Sequence, residues 1–218
     1  MLPKKIKNFF FQSSIFKKIY FSLLNLKFKG SKDYWESRYR SNQNSGSGSY
    51  GISAEYKARF LNQFVRDNNV ESVIELGCGD GNQLGYFKFP FYTGLDVALT
   101  AVNICIKKYS GQSNKTFELL TSENLNKYFN EKKELALSLD VIFHLVENDV
   151  FENYMFNLFN CASRFVIIYS WDVNGPKKGH VRQRNFSKWV FENIQGFDLI
   201  QRVKSQDFCD FLVYKKIN

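Results

Sequence analysis

The chain has 218 residues, a length that suits one domain with an appendage, and its 44% apolar and 23% charged residues are typical of a globular protein. The formal net charge is +9, but residues 1–30 contain seven lysines and no acidic residue, which leaves +2 for the rest of the chain. Because the basicity is confined to this arm, the sequence argues against a uniformly basic nucleic-acid-binding domain.

The basic N-terminal arm, residues 1–30, mixes lysines with aromatic and aliphatic residues. Lys17 and Lys18 interrupt its apolar residues, so no run approaches the roughly 20 residues of a membrane span. A secretory signal pattern is also missing. Two interpretations stay open: an amphipathic helix that packs on the domain, or a segment lying on an anionic membrane surface. The expected location is the cytoplasm, with peripheral contact at the inner face of the membrane under the second interpretation.

The four cysteines stand far apart in the sequence, at Cys78, Cys105, Cys161 and Cys209, and there are only two histidines. This spacing does not match a zinc site, so we expect no metal. Lone cysteines of this kind are typical of small buried side chains in a reducing compartment.

After the arm, residues 31–52 are predicted to form a lid or linker, because residues 42–51 are rich in glycine, serine and asparagine. Ser53 is the predicted N-cap of an amphipathic helix over residues 54–68, where apolar residues recur at helical spacing. We assign residues 53–218 to one domain.

Strand-like apolar segments then alternate with helical ones. The predicted strands are Ser72–Leu76, Phe91–Leu95, Thr116–Leu120, Leu135–Leu139 and Phe165–Tyr169, and the predicted helices lie near 98–109, 122–131, 147–162 and 186–194. The alternation predicts parallel strands with right-handed crossovers. Two final strands, Phe197–Val203 and Phe208–Tyr214, are joined by a short polar turn and must be antiparallel. The predicted fold class is therefore α/β, a Rossmann-like doubly wound sheet that is mostly parallel and carries an antiparallel C-terminal hairpin.

The first predicted strand runs into a Gly-x-Gly-x-Gly turn at Gly77, Gly79 and Gly81. Glycines allow a tight turn and a close approach to a ligand, and ligands of open α/β sheets lie outside the carboxyl ends of the strands. A dinucleotide fingerprint would have a third glycine where Asn82 stands, and Glu75 is a poor neighbour for a pyrophosphate. These residues argue against an NAD-dependent oxidoreductase, one alternative function, and favour a ligand with positive charge.

Asp96 directly follows the second predicted strand, close to the ~20-residue offset from the glycines at which an acidic residue accepts hydrogen bonds from ribose hydroxyls. The alternative role for Asp96 is to cap the helix that follows.

Three segments together resemble motifs of the class I S-adenosylmethionine (SAM) dependent methyltransferases: VIELGCGDGN, GLDV and LSLDVIFHL. The predicted terminal hairpin is also similar to that family, whose sheet carries an inserted antiparallel last strand, and the resemblance covers about residues 53–214. It implies SAM as the cofactor, with contacts from Glu75, Gly77, Cys78, Gly79, Asn82, Asp96, Val97, Leu139 and Asp140. The family often places a polar residue beside adenine after the third strand, and residues 120–123 do not show which one takes that role.

An oxygen acceptor for a methyl group benefits from a general base. His144, just after the fourth strand, and His180, after the fifth, are the candidate catalytic residues. The alternative for His144 is a histidine packed against the glycine loop. Asp140 is expected to shape the SAM pocket rather than to act as a base.

Further residues are candidates for binding the acceptor. Arg182 and Arg184 suit a phosphate or carboxylate, with a solvated basic loop as the alternative. Tyr50, together with Tyr34, Trp35 and Arg38, is expected either to close a lid over the site or to pack the arm onto the domain.

The chain as a whole is similar to small bacterial methyltransferases associated with surface-polysaccharide synthesis. That resemblance implies a small-molecule or glycan acceptor, with the methyl group placed on an oxygen of a sugar or phosphate-linked group. Motifs of DNA methyltransferases are missing, so no DNA partner is expected. A non-catalytic SAM-binding protein and an RNA or protein methyltransferase remain alternatives, and the sequence does not indicate an oligomeric state.

Overall fold

The computed structural model describes residues 30–205 and 209–217. Residues 1–29, which hold nearly all of the predicted basic arm, lie outside the described residues, so the membrane contact of the arm stays a prediction. Within the described residues, no helix is long and apolar enough to cross a membrane.

Six α-helices and nine strands make up the described chain. The helices are α1 Ser31–Arg40, α2 Gly51–Asp67, α3 Leu99–Lys108, α4 Ser122–Asn130, α5 Asn148–Asn160 and α6 Phe186–Asn193. The strands are β1 Ser72–Leu76, β2 Phe91–Asp96, β3 Lys115–Leu119, β4 Lys133–Leu139, β5 Ala162–Ser170, β6 Lys177–Lys178, β7 Val181–Arg182, β8 Phe197–Lys204 and β9 Asp210–Lys216.

The main sheet has seven strands in the order β3-β2-β1-β4-β5-β9-β8. The first five strands are parallel, and β9 runs antiparallel between β5 and β8. The predicted α/β class, the parallel strands and the antiparallel hairpin are confirmed. The strand order reverses between β1 and β4, and in open α/β sheets the ligand site lies outside the carboxyl ends of the strands at this switch point.

The sheet is covered on both faces because its central strands are apolar on both sides. In β4, Leu135, Leu137 and Leu139 belong to the core on one face, and Ala136 belongs to the core on the other. Helix α2 packs on the first of these faces through an apolar stripe that includes Leu61. All four cysteines are buried, as predicted, and none of them forms a disulfide bond.

The structure corrects the prediction for the segment before β1. Helix α1 lies where only a lid or linker was predicted, and a 3₁₀ turn at Ser47–Ser49 interrupts the predicted loop. Helix α2 begins at Gly51 with Tyr50 as its N-cap, so Ser53 lies inside the helix and is not its cap. The earlier start arises because the 3₁₀ turn leads directly into α2. A small hairpin of β6 and β7 was also not predicted.

Helix α1 is held in place at its first residue and near its middle by hydrogen bonds between hydroxyl and carboxylate side chains. Ser31 donates through Oγ to a Glu147 carboxylate oxygen at 2.7 Å. On the other side, Thr100 of α3 donates through its hydroxyl to Glu36 at 2.6 Å. These bonds tie α1 to the segment after β4 and to α3, which follows β2, and residues of the helix line the cavity at the expected ligand site.

Candidate functional site

The loop after β1 adopts a backbone that only glycine takes readily. Gly77, Gly79 and Gly81 have φ angles of +91°, +59° and +66°, in the region that disfavours residues with a Cβ. A Cβ on Gly79 would also lie 2.4 Å from Ser45 Oγ. The glycines therefore provide both the turn and the room for the segment that follows α1 to approach it.

Asp96 ties the end of β2 to this glycine loop. One carboxylate oxygen accepts a hydrogen bond from Gly79 N–H and the other accepts one from Ala98 N–H, both at 2.9 Å. Burial raises the pKa of Asp96 to about 6, against the lowering effect of these two hydrogen bonds. Each carboxylate oxygen keeps a lone pair, and Asp96 lines a cavity, so it can accept further hydrogen bonds from a ligand.

Glu75 does not line either of the two cavities that adjoin the glycine loop, contrary to the direct ligand contact that the resemblance implied. Its side chain is fully buried and accepts hydrogen bonds from the Tyr92 hydroxyl at 2.6 Å and from Gln83 Nε2 at 3.0 Å. Because Gln83 Nε2 points at the carboxylate, Gln83 Oε1 is left as an acceptor. That oxygen is buried and has no hydrogen-bond partner among the described residues, and Gln83 lines the cavity in place of Glu75.

The segment between α1 and α2 is joined to the glycine loop through Asp80. Ser45 N–H and the Tyr50 hydroxyl both donate to Asp80 Oδ2, at 2.9 and 2.8 Å. Asn82 donates through its side chain to the Ser49 carbonyl at 2.8 Å. Tyr50 and Asn82 line neither main cavity, so their positions correct the predicted ligand contacts: these side chains hold the segment between α1 and α2 to the glycine loop.

The first of two adjoining cavities, here called the glycine-loop cavity, has a volume of about 250 Å³. Seven predicted cofactor residues line it: Gly77, Cys78, Gly79, Asp96, Val97, Leu139 and Asp140. The sequence did not single out Trp35 for this wall, nor Tyr39 and Gln83, which also line it. Leu120 is the residue of the 120–123 segment that reaches this cavity.

The second cavity, here called the aromatic cavity, has a volume of about 440 Å³. Its aromatic walls are Tyr34, Trp35, Phe143, Tyr169 and Trp171, with His144 and His180 beside them. Arg38 supplies a cation and lies 5.7 Å from the centroid of the Trp35 ring. Trp35 and Arg38 thus line this cavity, a position that does not decide between the lid and the packing interpretations.

His144 lines both cavities, and its protonation pattern follows from one contact. Its Nδ1 lies 3.1 Å from the carbonyl oxygen of His180. A carbonyl only accepts, so Nδ1 carries the proton and Nε2 keeps a free lone pair. Burial lowers the pKa of His144 to about 4, which keeps the ring neutral near pH 7. His180 stacks between Tyr34 and His144, with ring centroids 4.2 and 5.2 Å away.

Arg182 and Arg184 do not line either main cavity, which corrects their predicted role in substrate binding. Both donate to the Val146 carbonyl, at 3.2 and 3.0 Å, and Arg182 also reaches the Asn148 side chain at 2.8 Å. The irregular segment before α5 leaves carbonyl oxygens that need donors. The two arginines supply them and fasten the β6–β7 hairpin to this segment.

The fold is similar to those of solved methyltransferase structures. Magnesium protoporphyrin IX methyltransferase from Synechocystis with bound SAM has a TM-score of 0.62 at 17% identity, covering 88% of this chain and 99% of that one. The N-methyltransferase NodS from Bradyrhizobium japonicum with bound S-adenosyl-L-homocysteine (SAH) has a TM-score of 0.63 at 14% identity, covering 87% and 100%. The chain has the class I SAM-dependent methyltransferase fold. Neither a family model nor a curated protein matches the sequence.

Within this methyltransferase fold, the residue that sequence reasoning missed most clearly is Lys57. It lies on the apolar stripe of α2, is fully buried, and contacts the Asp140 carboxylate. A lysine in the middle of a stripe formed by Ala54, Ala58 and Leu61 was the available signal, because a buried lysine requires a partner.

The buried carboxylate of Glu75 makes a pH-dependent contribution to stability. Burial raises its pKa from 4.5 to about 7, so the folded protein holds this proton more tightly than the unfolded chain does. The contribution is fully present below about pH 4.5 and is lost as the pH rises to about 7, a change on the order of 3 kcal/mol.

We therefore expect the free energy of unfolding of the wild type, minus that of Glu75→Gln, to fall by this amount between pH 4.5 and 7.5. The subtraction removes the opposite contribution of His144, which is lost as the pH falls from about 6.5 to about 4. Denaturant unfolding at four pH values measures it. A difference that does not change with pH would contradict the assignment of a raised pKa to Glu75.

Proposed function

We propose that this protein is a SAM-dependent methyltransferase. The observation that carries the proposal is the junction of two unlike cavities at His144: a glycine-loop cavity with an acidic group at the end of β2, and an aromatic cavity beside it. The similar solved structures, which include proteins crystallised with SAM or SAH, support it. One cavity would hold the cofactor and the other the methyl acceptor.

The polar groups of the glycine-loop cavity fit SAM. Gln83 Oε1 is a buried acceptor without a partner among the described residues, and it suits the cofactor's ammonium group. Asp96 suits the ribose hydroxyls. Leu120 and Val97, which line the same cavity, offer apolar surface to adenine. When bound, SAM supplies an activated methyl group for displacement, and the protein holds and aligns the two reactants.

His144 is the residue that we propose to receive a proton from the acceptor. Its Nε2 lone pair is free because the His180 carbonyl holds the proton on Nδ1. The ring is also immobilised by its neighbours, with the Trp35 ring edge-on at 4.9 Å. A fixed neutral imidazole at the junction can take a proton from a hydroxyl as that oxygen becomes a nucleophile.

The acceptor that we propose is an oxygen of a sugar or a phosphate-linked group in surface-polysaccharide synthesis. Aromatic walls suit the apolar faces of sugar rings, and Arg38 suits a phosphate. The family resemblance of the sequence supports the same class, and the basic N-terminal arm suits work beside a membrane-bound glycan in the cytoplasm. The similar solved structures act on different acceptors, such as a porphyrin in one case, so they do not select one.

The test is transfer of labelled methyl groups from SAM into a bacterial extract separated into glycan, nucleotide-sugar, RNA and protein fractions. We expect label in the glycan or nucleotide-sugar fraction, and far less label with Asp96→Ala at the same SAM concentration. Label that is released by nuclease or protease would replace this acceptor class with RNA or protein. SAM binding without transfer to any fraction would favour the non-catalytic alternative.

A further inference from the structure

Lys57 and Asp140 form an ion pair with one buried end. The Lys57 side chain has no exposed surface, whereas that of Asp140 is 19% exposed. The Lys57 ammonium also lies 5.4 Å from the centroid of the Tyr169 ring. Since an ammonium is costly to bury without a counter-ion, Lys57 depends on the Asp140 carboxylate at this position. The pair therefore points its positive end into the protein and its negative end toward the site.

The backbone fixes where this carboxylate lies. Asp140 follows β4 with a φ angle of +60°, a left-handed conformation that aspartate and asparagine tolerate better than most residues. A Cβ on Gly48 would lie 2.8 Å from Asp140 Oδ2, so this glycine of the segment between α1 and α2 leaves room for the carboxylate. The end of β4, this segment and Lys57 together hold Asp140 in one place.

That place is the junction of the two cavities. Among the residues that the structure describes, four line both of them: Trp35, Ser45, Asp140 and His144. Burial lowers the pKa of His144 to about 4, so at neutral pH the imidazole carries no charge. Asp140 therefore supplies the formal charge at the junction, and Lys57 is the charge nearest to it.

We propose that the Lys57–Asp140 pair sets the preference of this site for a positively charged cofactor, SAM, over the neutral thioether SAH. This rests on the proposed function, because the junction is where the reactive end of the cofactor would meet the acceptor. Asp140 attracts the sulfonium charge, and Lys57, farther from the cavities, limits that attraction. Methyl transfer removes the charge from sulfur, so the same pair favours exchange of SAH for SAM.

The two charges predict effects of opposite sign on one ratio, the association constant of SAM divided by that of SAH. Asp140→Asn leaves the Lys57 charge unopposed and is expected to lower the ratio on the order of tenfold. Lys57→Met leaves the carboxylate alone and is expected to raise it about threefold. The double variant removes both charges. From the highest ratio to the lowest, the predicted order is Lys57→Met, wild type, the double variant and Asp140→Asn.

Calorimetric titration of the full chain with SAM and with SAH at pH 8 measures the ratio without any acceptor. Glu134→Gln is the matched control, because Glu134 also belongs to an ion pair on β4, with Arg164, but at the opposite end of the strand. Its ratio should equal that of the wild type. The double variant guards against misfolding, since it leaves neither a buried ammonium nor an unpaired carboxylate.

A ratio that is the same in all four proteins would overturn the inference, as would a higher ratio in Asp140→Asn. In both cases SAH binding would persist, and the proposed function would stand. If the wild type bound neither SAM nor SAH, the proposed function itself would fail.

Discussion

Asp96→Ala is expected to weaken SAM binding by on the order of a hundredfold. Two hydroxyls of the ribose would lose a charged acceptor, and a hydrogen bond to a charged group contributes about 1.5–3 kcal/mol. The substitution would also loosen the glycine loop, because Asp96 accepts hydrogen bonds from Gly79 N–H and Ala98 N–H. Calorimetry with SAM and SAH measures the affinity.

The loop contacts require a control that separates binding from stability. Asp96→Asn keeps the size of the side chain and one carbonyl acceptor, but its amide nitrogen must face one of the two N–H groups. We expect a loss of affinity between those of the wild type and Asp96→Ala. Asp198→Ala removes an exposed carboxylate on β8 and should leave the affinity unchanged. Wild-type affinity in Asp96→Ala would show that Asp96 caps its loop and does not bind the cofactor.

His144→Asn is expected to slow methyl transfer about a hundredfold, the lower part of the range for losing a general base. The asparagine amide can replace Nδ1 as the donor to the His180 carbonyl, so the substitution removes the Nε2 lone pair and keeps this hydrogen bond. SAH affinity should therefore stay within about threefold of the wild type, as for a side chain acting on the acceptor. Initial rates in the acceptor fraction that supports turnover measure the effect.

His180→Phe is the matched control for this prediction. It keeps the backbone carbonyl that fixes His144 and keeps a ring between Tyr34 and His144. We expect a loss of only a few-fold in rate, because His180 lies on the aromatic cavity and does not line the junction. Equal losses for both substitutions would mean that the histidines act as a packed unit, and the assignment of His144 as the base would be wrong.

The sequence predicted the central sheet well because most of its strands are largely apolar, and β1, β2 and β4 end at or just before a glycine or an aspartate. Strand β1 matches its predicted bounds, and β2 extends one residue further, to Asp96. Helix α1 was missed because its contacts are remote in sequence: Glu36 meets Thr100, and Ser31 meets Glu147. Such pairings depend on the tertiary structure, and no local pattern in residues 31–40 predicts them.

The candidate site was predicted only in part, again because the local sequence does not show which side chains meet in the folded chain. Motif spacing located Gly77, Gly79 and Asp96 because the chain itself brings them together at a strand end. It did not show that Glu75 is fully buried and that Gln83, which donates a hydrogen bond to it, lines the cavity instead. It also misjudged Arg182 and Arg184, since a basic stretch after a strand does not reveal which carbonyls lie within reach of the side chains.

A thermal melt of the wild type with SAH, SAM and NAD in parallel tests the central claim most directly. A ligand at a hundred times its dissociation constant adds about 2.7 kcal/mol to the free energy of unfolding, which raises the melting temperature by roughly 5–10 °C for a domain of this size. We expect this rise with SAH and SAM and none with NAD. A rise with NAD alone, or with none of the three, would contradict the assignment of the glycine-loop cavity to SAM.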